Sequence, residues 1–132
     1  MPAFGNVVLT DAAATPVGHT FVPRDIEGGV ASFVESNGVP IGDNTLTASL
    51  RRTTTGRYRG LLKGRFPVVQ TQTINGVSSP VVVRAANCEI SFTFDAESTE
   101  QERKDVVSEM LTALAASNTV TNGMLTKLQG IY

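Results

Sequence analysis

TLTASLRRTTTGRYRGLLKGRF, running from Thr45 to Phe66, is the stretch on which the fold class turns. In its first part the odd positions are Thr45, Thr47, Ser49 and Arg51, and the even ones Leu46, Ala48 and Leu50. In its second part Arg57, Arg59, Leu61, Lys63 and Arg65 are odd, while Tyr58, Leu62 and Phe66 are even. Side chains alternate across a pleated strand, so each part reads as a strand with one polar and one apolar face. Gly56 marks the turn between them. Antiparallel neighbours joined by a turn share their faces, so the two polar sides coincide. The pattern predicts a basic, hydroxyl-rich sheet surface.

Upstream, Val7 to Thr10 and His19 to Val22 are β-favouring pieces around a small-residue turn ending in Pro16 and Gly18, a predicted hairpin. Gly28 and Gly29 precede another strand candidate, Val30 to Ser36. Downstream, Pro67 ends the clean alternation, and residues 68 to 80 form a polar stretch with an Asn75-Gly76 turn signal and a closing Pro80. Val81 to Asp95 alternates again, with Cys88, Ile90, Phe92 and Phe94 against Asn87, Glu89, Ser91 and Thr93. After Ala96 the period changes. Ser98 or Thr99 is the expected N-cap, each with Gln101 or Glu102 three residues on. Val106, Val107, Met110, Leu111, Leu114 and Ala115 make one apolar stripe, and Val120 to Leu128 reads as a second, shorter helix. The expected class is α+β in a single domain, 1–132, with hairpin and sheet over 1–95 and helices over 98–132. Two amphipathic helices and one small sheet leave apolar surface to share with a second subunit.

No apolar run approaches the ~20 residues needed to span a bilayer, and the N-terminus shows no secretory signal pattern, so no membrane partner is expected. The single cysteine, Cys88, forms no internal disulfide and fits a reducing compartment; its strand parity predicts an inert, buried thiol. A net charge of −1 hides two opposed zones. Between Asp43 and Glu89 there is no acid, yet Arg51, Arg52, Arg57, Arg59, Lys63, Arg65 and Arg84 fall there. Acids gather later, from Asp95 to Glu109.

No nucleophile, metal-ligand or phosphate-loop motif occurs, so no catalytic residue, metal, cofactor or small-molecule substrate is expected. His19 stands alone beside Thr20 and Phe21, and a structural or solvated role is the expectation. The acids of the helix start read as a solvated face. The basic sheet face is the one functional constellation. Cations on a flat sheet bind phosphates, and hydroxyls or amides between them read base edges. A face charged merely for solubility explains the same residues, because stacking aromatics are scarce there.

The chain as a whole resembles the coat proteins of the single-stranded RNA bacteriophages, the levivirus group. The likeness is carried, in order, by HTFVPRDI from His19, SLRR from Ser49, GRY from Gly56, PVVQTQTINGVSSPVVVR from Pro67, STEQER from Ser98 and LQGIY from Leu128. It implies an N-terminal β-hairpin and antiparallel sheet followed by two helices that interlock with a partner's, making a homodimer with one continuous sheet. It implies that dimers build an icosahedral T=3 capsid, helices outward and sheet toward single-stranded genomic RNA, in the virion and, during assembly, the bacterial host cytoplasm. The helix residues expected at the dimer interface are Val107, Met110, Leu111 and Leu114. The loop expected to differ around different symmetry axes holds Gln70, Thr71, Gln72, Thr73, Asn75, Gly76 and Pro80, without the cysteines that staple it in some relatives.

The resemblance also implies binding of an RNA hairpin that represses replicase translation. The matching positions are Val30, Thr47, Ser49, Arg51, Arg59, Leu61, Lys63 and Arg65, with Asn87, Glu89 and Ser91 from the last strand. Asn87 stands where relatives place a base-stacking tyrosine, and Leu61 where a threonine lines an adenine pocket. A lost stacking ring removes ~1–3 kcal/mol per base, so general RNA binding is the firmer expectation. The competing class is a small dimeric RNA-binding regulator that never assembles, which has no use for the loop from Gln70 to Pro80. A hydrolase is the third reading, and the missing catalytic constellation speaks against it.

Overall fold

The computed structural model describes residues 2–36 and 38–131; Met1, Asn37 and Tyr132, the last being the end of the expected helical segment, lie outside them. Six strands come first: β1 (Val7–Thr10), β2 (Gly18–Glu27), β3 (Val30–Glu35), β4 (Asn44–Arg52), β5 (Tyr58–Ile74) and β6 (Val77–Phe94). They lie side by side in chain order in one sheet, and the pairings from β1 through β5 are antiparallel. A 3-10 turn, Pro40–Gly42, joins β3 to β4. Helices α1 (Glu100–Ala113) and α2 (Thr119–Thr126) follow. The chain divides into two compact units, residues 1–93 and 94–132.

The β4–β5 hairpin has the register its alternation demands: Thr45 opposite Arg65, Thr47 opposite Lys63, Ser49 opposite Leu61 and Arg51 opposite Arg59. Gly56, at φ +87, supplies the left-handed residue of the connecting turn, whose ends close through Thr53 and Arg57. The strands, however, outrun the expectation. β5 continues through Pro67 to Ile74, and β6 starts at Val77, so the polar stretch 68–80 is a strand hairpin with Asn75 and Gly76 as its two-residue turn. Both turn residues have positive φ, +51 and +77, the geometry that matches the twist of the flanking strands. The prolines do not stop the strands because each occupies a place where a missing N–H is tolerated. Pro80 lies on the edge strand β6, and Pro67 lies past the last β4 pair, Thr45 with Arg65, where β5 has lost a neighbour.

Strand β2 changes partner along its length. Gly18–Phe21 pairs with β1, and Val22–Glu27 with β3. The N-terminal hairpin thus leaves the main sheet at Phe21. That residue is the most buried large side chain, 1% exposed, with its ring edge-on to Phe66 at 6.5 Å. Phe33, 8% exposed, meets Phe4 edge-on at 5.3 Å. Among the described residues these two phenylalanines are the whole buried hydrophobic core.

In the helical unit Thr99 is the N-cap, and Thr99 and Glu102 complete a reciprocal capping box. Arg103 reaches back to Ser98. Asn118 caps α2, and the Thr121 hydroxyl donates to the Ala113 carbonyl, tying the two helices together. No residue of either helix is buried. Cys88 is exposed, against the expectation of a buried thiol. It sits on the edge strand, where alternation chooses a face but nothing guarantees that the face is covered.

Phe21→Ala removes the largest buried ring, and the expected loss is about 3–5 kcal/mol of stability, read as a fall in denaturation midpoint. A change below about 1 kcal/mol would show that the core lies elsewhere.

Candidate nucleic-acid interface

Directly paired residues of a sheet project to the same side, so the register assigns faces without ambiguity. Thr45, Thr47, Ser49 and Arg51 of β4 share a face with Arg65, Lys63, Leu61 and Arg59 of β5. From β3 the same face takes Val34, Ser32 and Val30, opposite Thr45, Thr47 and Ser49. Eight positions expected at an RNA surface therefore stand together: Val30, Thr47, Ser49, Arg51, Arg59, Leu61, Lys63 and Arg65. The four cations among them are all exposed. Arg52 and Tyr58 take the opposite face, the guanidinium 5.8 Å from the ring centre, and Arg57 sits in the turn.

Asn87 and Glu89 of β6 join Thr45, Thr47, Lys63 and Arg65 around an open hollow of about 360 Å³. Its walls offer hydroxyls, an amide, a carboxylate and two cations, enough to meet a phosphate and a base edge together. Ser91 is exposed two residues further along β6 and is not among the lining residues. The hairpin residues Gln70, Thr71, Gln72, Thr73, Asn75, Gly76 and Pro80 are all exposed, with the Thr73 and Ser78 hydroxyls 3.0 Å apart across the turn.

Two electrostatic features characterise the face. Arg51 and Arg59 are direct cross-strand partners, and like charges so placed repel. Among the described residues none of the four cations is in an ion pair, so no salt bridge among them offsets that repulsion. A bound polyanion would. The second feature is acidic, and the sequence pattern hid it. Asp25 pairs with Ser32 and Glu27 with Val30, so both exposed carboxylates stand on the cationic face at its β2 border. A register shift between Pro23 and Asp25 puts them there. Without that bulge, parity would have placed both with Phe21 and Pro23 on the other side. The face therefore runs from negative on β2, through neutral β3, to β4 with one cation, Arg51, and β5 with three, Arg59, Lys63 and Arg65.

The helix stripe is open. Val107, Met110, Leu111 and Leu114 are 41–70% exposed as a group with Val106, Leu111 most of all at 70%. Among the described residues no cluster of metal-ligating side chains exists, and no helix is long and apolar enough to cross a membrane.

Comparison with known proteins places this architecture. The family model described as levivirus coat protein matches residues 2–132. The capsid protein of Pseudomonas phage PRR1 is 49% identical over 127 residues, covering 96% of this chain and 97% of that protein. Among solved structures, the virus-like particle of bacteriophage ESE058 superposes with a TM-score of 0.83 at 25% identity, covering 99% of this chain and all of that one. The capsid protein of bacteriophage GA gives a TM-score of 0.83 at 23% identity over 98% of both chains, a likeness of fold.

Neutralising the acidic border with Asp25→Asn and Glu27→Gln is expected to tighten binding of single-stranded RNA. Three strand spacings, ~14 Å, separate it from β5. That exceeds the Debye length of ~10 Å at 0.1 M salt, so the gain should be no more than about threefold and confined to low salt. Weaker binding by the double variant would mean that these carboxylates contact the ligand favourably.

Proposed function

The chain belongs to the levivirus coat protein family, and from that premise we propose that it is the capsid subunit of a single-stranded RNA bacteriophage. Two copies interlock through their helices, join their sheets and assemble as dimers into an icosahedral T=3 shell. The cationic face turns inward and binds the packaged RNA. The site of action is the virion, with assembly in the bacterial host cytoplasm.

One observation supports the assembly reading above the others. The chain leaves large apolar side chains uncovered on both of its units, including Leu50, Leu62 and Val83 on strands and Leu111, Leu114 and Leu125 on helices. Exposed apolar surface on that scale marks a protein–protein interface. The RNA reading is supported by the four unpaired cations on one sheet face and by the hollow beside Asn87 and Glu89. Both Arg51 and Arg59 gain from a phosphate between them. Repression of replicase translation by binding an RNA hairpin rests on the family likeness. The hollow meets it halfway: it offers Thr45, Thr47 and Lys63, but an amide at Asn87 in place of a stacking ring.

A dimeric RNA-binding regulator that never assembles shares the cationic face. It has no use for a 17-residue strand carrying an exposed hairpin tip beyond the β4 pairing. Deleting the tip separates the two readings: shell closure fails in a capsid protein, whereas a regulator binds RNA as before.

Two further outcomes follow. Lys63→Ala should weaken RNA binding and reduce the slope of log K against log salt by about 0.7, one single-strand phosphate contact; an unchanged slope removes Lys63 from the interface. Leu111→Glu should abolish particle formation, since the interface would bury an unpaired charge. Normal particle yield from that variant would show that the α1 stripe stays in water.

A further inference from the structure

A cluster on the face opposite the cations lies outside the residues assigned above to the RNA face and to the helix stripe. His19 lies on β2 within the N-terminal hairpin, before the strand changes partner at Phe21. Its Nε2 is 2.7 Å from Asp11 Oδ2, and its Nδ1 is 2.7 Å from Glu35 Oε2. The two carboxylates belong to different parts of the fold. Asp11 opens the loop after β1 and organises it, accepting from the Ala13 and Val17 amides through Oδ1 while its own amide donates to the Val17 carbonyl. Glu35 ends β3 in the main sheet, where the Asn44 amide of β4 donates to its other oxygen at 2.9 Å. One imidazole thus spans the gap between hairpin and sheet, with each carboxylate fixed from behind.

Both contacts require the ring to donate. A protonated imidazole has two N–H groups and fills both; a neutral one has a single N–H and turns a lone pair toward the remaining carboxylate. We propose that His19, Asp11 and Glu35 form a proton-dependent latch that holds the N-terminal hairpin against the main sheet and releases it when the ring deprotonates.

The surroundings set the direction of the switch. The hollow around the ring is lined by Leu9, Thr10, Asp11, Phe21, Glu35, Asn44 and Phe66, so its only other charged groups are the two carboxylates. The hydrogen bond to Asp11, then that to Glu35, raises the His19 pKa above its ordinary 6.5. Asp11 is lowered from 3.8 to about 2, chiefly by the Val17 amide and next by His19. A raised histidine stabilises the closed form fully below 6.5 and loses that contribution as pH climbs through the raised value. A lowered aspartate contributes above 3.8 and loses that contribution as pH falls through about 2. The latch is therefore tightest between 3.8 and 6.5 and opens on the alkaline side.

Release concerns the hairpin alone. Only Val7–Thr10 and Gly18–Phe21 pair within it, and β2 continues into the main sheet through Val22–Glu27. The hinge lies at Phe21, whose buried ring against Phe66 stays anchored while the loop from Asp11 to Val17 swings.

The test is an NMR titration of the ring in the full-length protein in its native assembly state. The signal is unambiguous because the chain has one histidine. Amide exchange of residues 7–21, referenced to unfolded-chain rates, is followed on the same samples. The ring should titrate above 6.5, and hairpin protection should fall across that same midpoint. Glu35→Gln should lower the midpoint and move the loss of protection with it. His19→Gln should leave protection independent of pH. A ring titrating at or below 6.5, or protection that holds constant while the ring loses its proton, overturns the latch. Both of those readings come from the unaltered chain, so they stand even where a variant misfolds.

Discussion

Too little apolar surface is buried within this chain for it to stand alone. Among the described residues Phe21 and Phe33 are the buried hydrophobic core of the sheet unit, and no residue of the helical unit is buried. A chain of 132 residues has a modest capacity to cover itself, and this one uses little of it. Strands and helices form on local grounds: alternation, capping boxes and turn residues with the right backbone sign. What those elements lack is cover. Hydrophobic burial dominates the favourable side of folding, and the proposed assembly would supply the missing part from other copies. The chain belongs to a family of coat proteins, and in the proposed shell subunit contacts would complete each subunit.

The same sheet divides its labour by face. One side holds the aromatic pairs and the His19 cluster, and the other carries the four cations. The cationic side is graded, not uniform. Asp25 and Glu27 border it on β2, and attraction for phosphate grows toward β5 and the hollow shared with β6. A graded face would favour a polyanion at the β5 end of the sheet over the hairpin end. Arg51 and Arg59 are direct cross-strand partners, and an anion between them would relieve the repulsion built into the register.

Much of this was legible in the residues. The alternation from Thr45 to Phe66 gave strands, shared face and cations together, and the change of period after Ala96 gave the helices. Three features were not. Pro67 and Pro80 read as breaks, but a proline's cost depends on whether a neighbour needs its N–H, which is a property of the sheet. Asp25 and Glu27 were invisible on the cationic face because a single bulge reverses parity, and no local residue type announces it. His19 read as a lone histidine because its partners are 8 and 16 residues away and meet it only through strand pairing. In each case the missing information was tertiary.

Sedimentation analysis on serial dilution, with circular dichroism recorded on each sample, tests the central claim most directly. If subunits complete one another, the smallest species with native ellipticity is a dimer, and any monomer that forms on dilution loses its structure. A folded monomer persisting at nanomolar concentration would contradict the account, because it would show that one chain covers its own apolar surface.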